Sequence, residues 1–221
     1  MSGIKRYELS GGSEFIWAVP LSGMGHVADE QPLPYIQKHG IELTPRFGGE
    51  ELNSKLGLSS VPMPYGYLAS GWPFLQRIFN IPRRRMNIYW RNIFKDLSHK
   101  DGFFHFLEQL KYSETENGFF GKSPLLHYTR EFKINQNSIE IFDKIDFKEN
   151  LHFLEFYLCP WAEFKTHHIN FRCLITPSLE VNYSYTISSS TGLAILHAHK
   201  LLNVKFKKGE SVSWSYTYHI L

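Results

Sequence analysis

His127, Tyr128 and His197 are the side chains of this chain best suited to moving protons, because imidazole and phenol groups are readily tuned to exchange a proton near neutral pH. Arg130 and Arg172 carry the planar fork that matches a carboxylate, and Tyr185 and His199 extend the set toward substrate contact. Such a set serves acid/base chemistry on a substrate held by its carboxylate. His127, Tyr128 and His197 are then the catalytic candidates, and Arg130, Arg172, Tyr185 and His199 the binding candidates. His197 and His199 also stand two apart in an extended segment and share one face, as two ligands of one metal do. His167, His168 and a carboxylate such as Glu163 or Glu180 would complete that site. Leu193 and Ile195 occupy the same alternate positions, however, and a bare His-x-His lacks the spacing of a metal motif. The pair therefore reads as the wet rim of a packed face, and neither a metal nor a cofactor is expected. There is no context for a serine elbow, neither cysteine has a histidine partner in view, and Gly48 and Gly49 lack the lysine and hydroxyl of a phosphate loop.

Strands must position these residues. In residues 127–147 (HYTREFKINQNSIEIFDKIDF), Tyr128, Arg130, Phe132 and Ile134 alternate with His127, Thr129, Glu131 and Lys133. Ile139, Ile141, Asp143, Ile145 and Phe147 then share a face opposite Glu140, Lys144, Asp146 and Lys148. The polar residues 135–138 between the two runs predict a hairpin turn. Pairing Ile134 with Ile139 sets Phe132 opposite Ile141 and Arg130 opposite Asp143. Two opposite charges would meet inside an apolar face, as a salt bridge that fixes register in the first reading and as a substrate contact in the second. Tyr183 and Tyr185 share a face with Val181 and Ile187, which favours packing for both.

Upstream, residues 14–21 (EFIWAVPL) predict a first strand, and the Pro- and Gly-rich residues 28–71 an irregular segment that could wall a site. Met86, Tyr89, Trp90, Ile93, Phe94 and Leu97 recur at helical spacing and predict a helical insertion over residues 73–99. Beyond it, residues 151–158, 171–176, 179–187, 192–200 and 211–220 read as strands separated by turn residues. The expected fold is mainly β, an antiparallel β-sandwich that extends to a large two-sheet form, with all 221 residues in one domain.

A net charge of +3 with dispersed basic residues gives no ground for a nucleic-acid partner. Aromatic residues at 16% suit a sandwich core or a sugar-stacking surface. The polar first residues lack a leader's apolar run, and no later stretch is long and apolar enough for a transmembrane segment. That predicts a soluble cytoplasmic protein, with the envelope as the alternative for a chain that has lost a leader. Cys159 and Cys173 are too few for a disulfide framework and read as free thiols.

The order of Arg130, a short loop, the Ile-rich strand with Asp143 and then LEFYLCP resembles the C-terminal β-sandwich of heparinase II/III-type polysaccharide lyases and their uncharacterised relatives. FLQRIFN at residues 74–80 looks like an insertion seen in some of those relatives. The resemblance implies an acidic, uronate-containing polysaccharide as ligand and, in an enzyme, lyase-like elimination: a base for the proton beside the carboxylate, an acid for the leaving oxygen and a group that neutralises the carboxylate. It also implies a helical toroid before the sandwich, for which this chain has no room. The expectation is therefore a carbohydrate-associated protein that recognises or helps to process an acidic polysaccharide, with a domain that docks on a partner, such as a separate helical toroid, as the alternative.

Overall fold

The computed structural model describes residues 5–17, 19, 35–43, 65–68, 111–164, 173–189 and 192–221, some of them by their backbone alone, and these fold mainly as antiparallel strands. Four short strands come first: β1 (Lys5–Glu8), β2 (Ser13–Trp17), β3 (Tyr35–Lys38) and β4 (Ile41–Glu42), paired in that order as an amino-terminal sheet. β5 (Tyr65–Leu68) joins a second sheet with β10 (Leu151–Phe164), β12 (Tyr183–Ser189) and β13 (Gly192–Phe206), in the order β12, β13, β10, β5. The largest sheet has six strands, from β6 (Lys111–Thr115), β7 (Gly118–Lys122), β8 (Leu126–Ile134) and β9 (Ser138–Phe147) through β14 (Ser211–Ile220) to β11 (Cys173–Pro177). Among the described residues no helix is long and apolar enough to cross a membrane.

The hairpin of β8 and β9 has the register that its alternation dictates, with Ile134 opposite Ile139, Phe132 opposite Ile141 and Arg130 opposite Asp143. Its turn is tight, since the Asn135 amide donates to the Ser138 carbonyl at 2.9 Å. One face of the large sheet buries Tyr128, Phe132, Ile139, Ile141, Ile145, Phe147, Trp214, Tyr216 and Tyr218. Both other sheets pack on that face. Phe132 meets Phe15 and Trp17 of β2 with ring centroids 5.3 and 5.0 Å apart. At the other end Phe147 stacks on Phe206 of β13 at 4.1 Å and meets Phe156 of β10 at 6.4 Å. A single apolar cluster thus draws on all three sheets in a sandwich-like arrangement.

The structure departs from the sequence pattern in several places. Residues 28–71, expected to be irregular, contribute β3, β4 and β5. β3 and β4 are joined by His39 and Gly40, whose φ values of 51° and 77° are those of a two-residue hairpin turn. Too short to show a period, these segments are held as strands by their neighbours: β3 by β2, and β5 by β10. The β6–β7 hairpin escapes the pattern for a different reason: three of the five residues of GFFGK are glycine or lysine, so the run does not read as a strand. The helix expected over residues 73–99 lies outside the described residues.

β13 is kinked at Asn203, with φ of 50°, and the pairing of β10 shifts between Phe153 and Glu155. Leu151 and Phe153 on one side of the irregularity and Phe156 and Leu158 on the other are all buried, so the kink turns both halves of a long strand toward the core.

Candidate functional site

The candidate residues are divided by the pleat of the large sheet. Successive residues of a strand point to opposite faces, so His127 and Tyr128 do not share a site. Tyr128 is fully buried, and its hydroxyl donates to Asp143 Oδ1 at 2.7 Å. Arg130, equally buried, grips the same carboxylate in a fork, Nε to Oδ1 at 2.7 Å and Nη2 to Oδ2 at 2.8 Å. Three donors thus converge on two oxygens where water does not reach, the arrangement that makes a buried charge pair tolerable. Burial pushes the Tyr128 hydroxyl well above the usual phenol range, in spite of the guanidinium beside it. The Arg130 guanidinium opposes its own burial through the adjacent carboxylate and is held well above its ordinary value. The arrangement ties β8 to β9 through buried, charge-assisted hydrogen bonds.

His127 faces outward on the opposite side of that sheet. It stands across from Lys122 of β7 and Asp146 of β9, and its ring meets Phe120 edge to face at 5.2 Å. Asp146 is engaged: Ser211 Oγ donates to its Oδ1 at 2.5 Å, and Lys144 lies 2.9 Å from the same oxygen. Partial burial raises the Asp146 carboxyl, but the Ser211 and Lys144 hydrogen bonds outweigh it and hold the group below its ordinary range. Lys122 and Lys148 have no ion-pair partner among the described residues. Burial first, and then the charge of Lys148 with a smaller push from Lys122, lowers the His127 imidazole below its ordinary value against the pull of Asp146. Ammonium groups, an imidazole and an aromatic edge are thus brought together on one face of the sheet without a carboxylate for each cation.

His197 and His199 lie on β13 in the second sheet, apart from His127. His197 Nδ1 is 2.8 Å from Ser184 Oγ across the strand pair. His199 Nδ1 is 2.7 Å from the Glu180 carbonyl, which can only accept, so this nitrogen carries the proton. Among the described residues no group of three or more His, Cys, Asp or Glu side chains is arranged to hold a metal. Tyr185 is placed by its backbone pairing with Leu196, while Arg172, His167 and His168 lie outside the described residues.

Two groupings were not apparent from the residue types. The first is the His127 strip, which needs β7 to bring Lys122 alongside; the alternation of β9 already set Lys144, Asp146 and Lys148 on one face. The second is on β10 and β13, where Lys200 pairs with Glu155 at 2.7 Å and lies 5.4 and 5.5 Å from the ring centroids of Tyr157 and Tyr183. The Tyr157 hydroxyl donates to the same carboxylate at 2.5 Å. Partial burial raises Glu155, and its bonds to Lys200 and Tyr157 more than reverse that effect. No protein-family model matches this chain, and no curated protein matches it.

Proposed function

We propose that this protein recognises an acidic polysaccharide along the outer face of the large sheet, at the strip around His127. The observation that carries the reading is the pair Lys122 and Lys148, which flank His127 and have no ion-pair partner among the described residues. Anionic groups spaced along a polymer would take the place of the missing carboxylates, while Phe120 offers an apolar edge to a sugar ring. The resemblance to heparinase II/III-type sandwiches points to the same ligand class. Recognition fits this strip better than cleavage, because the acid/base candidates His127, Tyr128 and His197 stand on different faces and sheets.

The test is calorimetric titration of the whole chain with uronate-containing and sulfated oligosaccharides. Saturable binding below millimolar concentration, weakened by added salt and reduced at least about fivefold in Lys122→Gln/Lys148→Gln, is the expected result. No saturable binding to either class at millimolar concentration would sink the reading. The ultraviolet absorbance of unsaturated uronates, followed in the same samples, separates recognition from processing. A second reading, docking on a protein partner such as a separate helical toroid, draws on Leu202, which is 68% exposed on β13. In that case Leu202→Glu releases the partner from a native-host complex and leaves glycan titrations unchanged.

A further inference from the structure

We infer that His127 is a proton-controlled contact of the anion-binding strip, so that the strip holds a polyanion more tightly as pH falls; this rests on the glycan-recognition reading above. The geometry supplies the reason. From β7, Lys122 and the Phe120 ring face His127; from β9, Asp146 stands directly across, with Lys144 two positions before it and Lys148, just past the end of the strand, two positions after. β14 presents uncharged Ser211, which binds Asp146, while the neighbouring Glu210 carboxylate accepts from the Lys207 amide in the loop before it. On β8 itself the next outward residue is Thr129, and Glu131 comes one position further along. The only carboxylate directly across from His127 is thus already shared by Lys144 and Ser211, Glu210 is engaged by the Lys207 amide, and the charges that act on the imidazole besides Asp146 are those of Lys148 and Lys122.

An imidazolium in this setting is opposed by partial burial and by Lys148 and Lys122. An anion laid across Lys122 and Lys148 reverses the balance, because it neutralises the repulsion and attracts the new charge. Proton and polyanion must then bind cooperatively, each strengthening the other by the same factor. At neutral pH the strip offers its lysines; in weak acid it offers one more cation and a charged N–H donor at its centre.

A sulfated oligosaccharide is the probe of choice, since its sulfate esters do not titrate over the range. Its affinity for the whole chain is measured by calorimetry at about pH 7.5 and about pH 5.5, on either side of the ordinary histidine value, at constant ionic strength. The expected gain on acidification is about three- to tenfold, as one added charge at partial exposure would give. In His127→Gln the ratio of the two affinities should fall to near one. His127→Arg, with its permanent charge, should bind at neutral pH about as tightly as the unaltered chain does in acid, which guards against a trivial loss of folding. An undiminished gain in His127→Gln would assign the effect to the other histidines and overturn the inference. Equal affinities at both pH values in the unaltered chain would overturn it too, while leaving recognition standing. Absence of binding at either pH would instead remove the recognition reading itself.

Discussion

Asp143 accepts from Tyr128 and twice from Arg130 at a point with no solvent exposure, and the consequences of disturbing it are unequal. Asp143→Asn leaves a guanidinium buried without its counter-charge and should cost about 3–5 kcal/mol, read as a fall in the urea midpoint. Tyr128→Phe removes one of three donors and should cost about 1–2 kcal/mol. Replacing all three partners together, Tyr128→Phe and Arg130→Met with Asp143→Leu, should come within about 1 kcal/mol of the unaltered chain, because the desolvation of two ions disappears with their attraction and no buried hydroxyl is left without an acceptor. A triple replacement as damaging as Asp143→Asn would show that the pair does more than close the hairpin. Asp146 and Glu155 govern the acid limb. Both carboxyls are held below their ordinary values in the fold, so they contribute stability that is present above the unfolded-state value of about 4 and lost as pH falls through the lower folded values. His127 adds to the same limb from the other direction: its lowered folded value means that acidification below about 6.5 favours the unfolded chain. Thermal melts from pH 7 downward should therefore show an early shallow loss, abolished in His127→Gln, and a later steeper one.

At the scale of elements, the β6–β7 hairpin depends on one close approach. A Cβ on Gly118 would lie 2.0 Å from the Arg130 carbonyl oxygen, which is backbone and unable to step aside. Gly118→Ala should therefore push β7 away from β8 and cost about 2 kcal/mol or more, a fall in Tm of roughly 4–8 °C for a chain of this size. Lys122 would move with the strand, so the same variant should also weaken polyanion binding. The kink in β13 is a second such point. Asn203 holds φ of 50°, a region that asparagine enters more readily than other side chains, and its Oδ1 lies 2.6 Å from His152 Nε2. Asn203→Ala should cost about 1–2 kcal/mol and speed hydrogen exchange in β10 and β13, while Asn203→Gly should lose the side-chain contact but keep the backbone. Unchanged exchange in Asn203→Ala would separate the kink from the orientation of Phe153 and Phe156.

At the scale of the whole molecule, Phe132 and Phe147 are the places where the large sheet meets its two partners. Either residue changed to Ala should cost about 3–5 kcal/mol, since each opens a cavity between two sheets. Because the apolar cluster is continuous, unfolding followed by the fluorescence of Trp17 in the amino-terminal sheet and Trp214 in the large one should superpose on that followed by far-ultraviolet dichroism. Separate transitions would mean that the amino-terminal sheet opens independently. The loop between β8 and β9 argues against that: the Gln136 carbonyl accepts from the Ser10 amide at 2.9 Å, and the Asn137 carbonyl from the Ile220 amide at 3.0 Å. One turn thus fastens the first strands, the central hairpin and the last strand.

The amino-acid sequence alone specified the central hairpin, its register and the meeting of Arg130 with Asp143: the alternation assigns the faces, since a one-residue slip would expose Ile139, Ile141 and Phe147, and the short polar turn selects the pairing among registers that keep those faces. It likewise determined the span of the last strand, whose alternation is unbroken from Ser211 to Ile220. Short or interrupted strands carry no such signal: β3 to β7 are strands because neighbours supply their hydrogen bonds, and β10 buries both Phe153 and Phe156 because a kink breaks the period. The candidate site followed the same division. Residue chemistry picked out His127, Tyr128 and Arg130, but the pleat of a folded sheet decided that Tyr128 and Arg130 face the core and His127 the surface. Lys122 reached His127 only through a strand pairing that local sequence does not encode, and it is this pairing, a non-local contact, that turned a lone histidine into the centre of a charged strip.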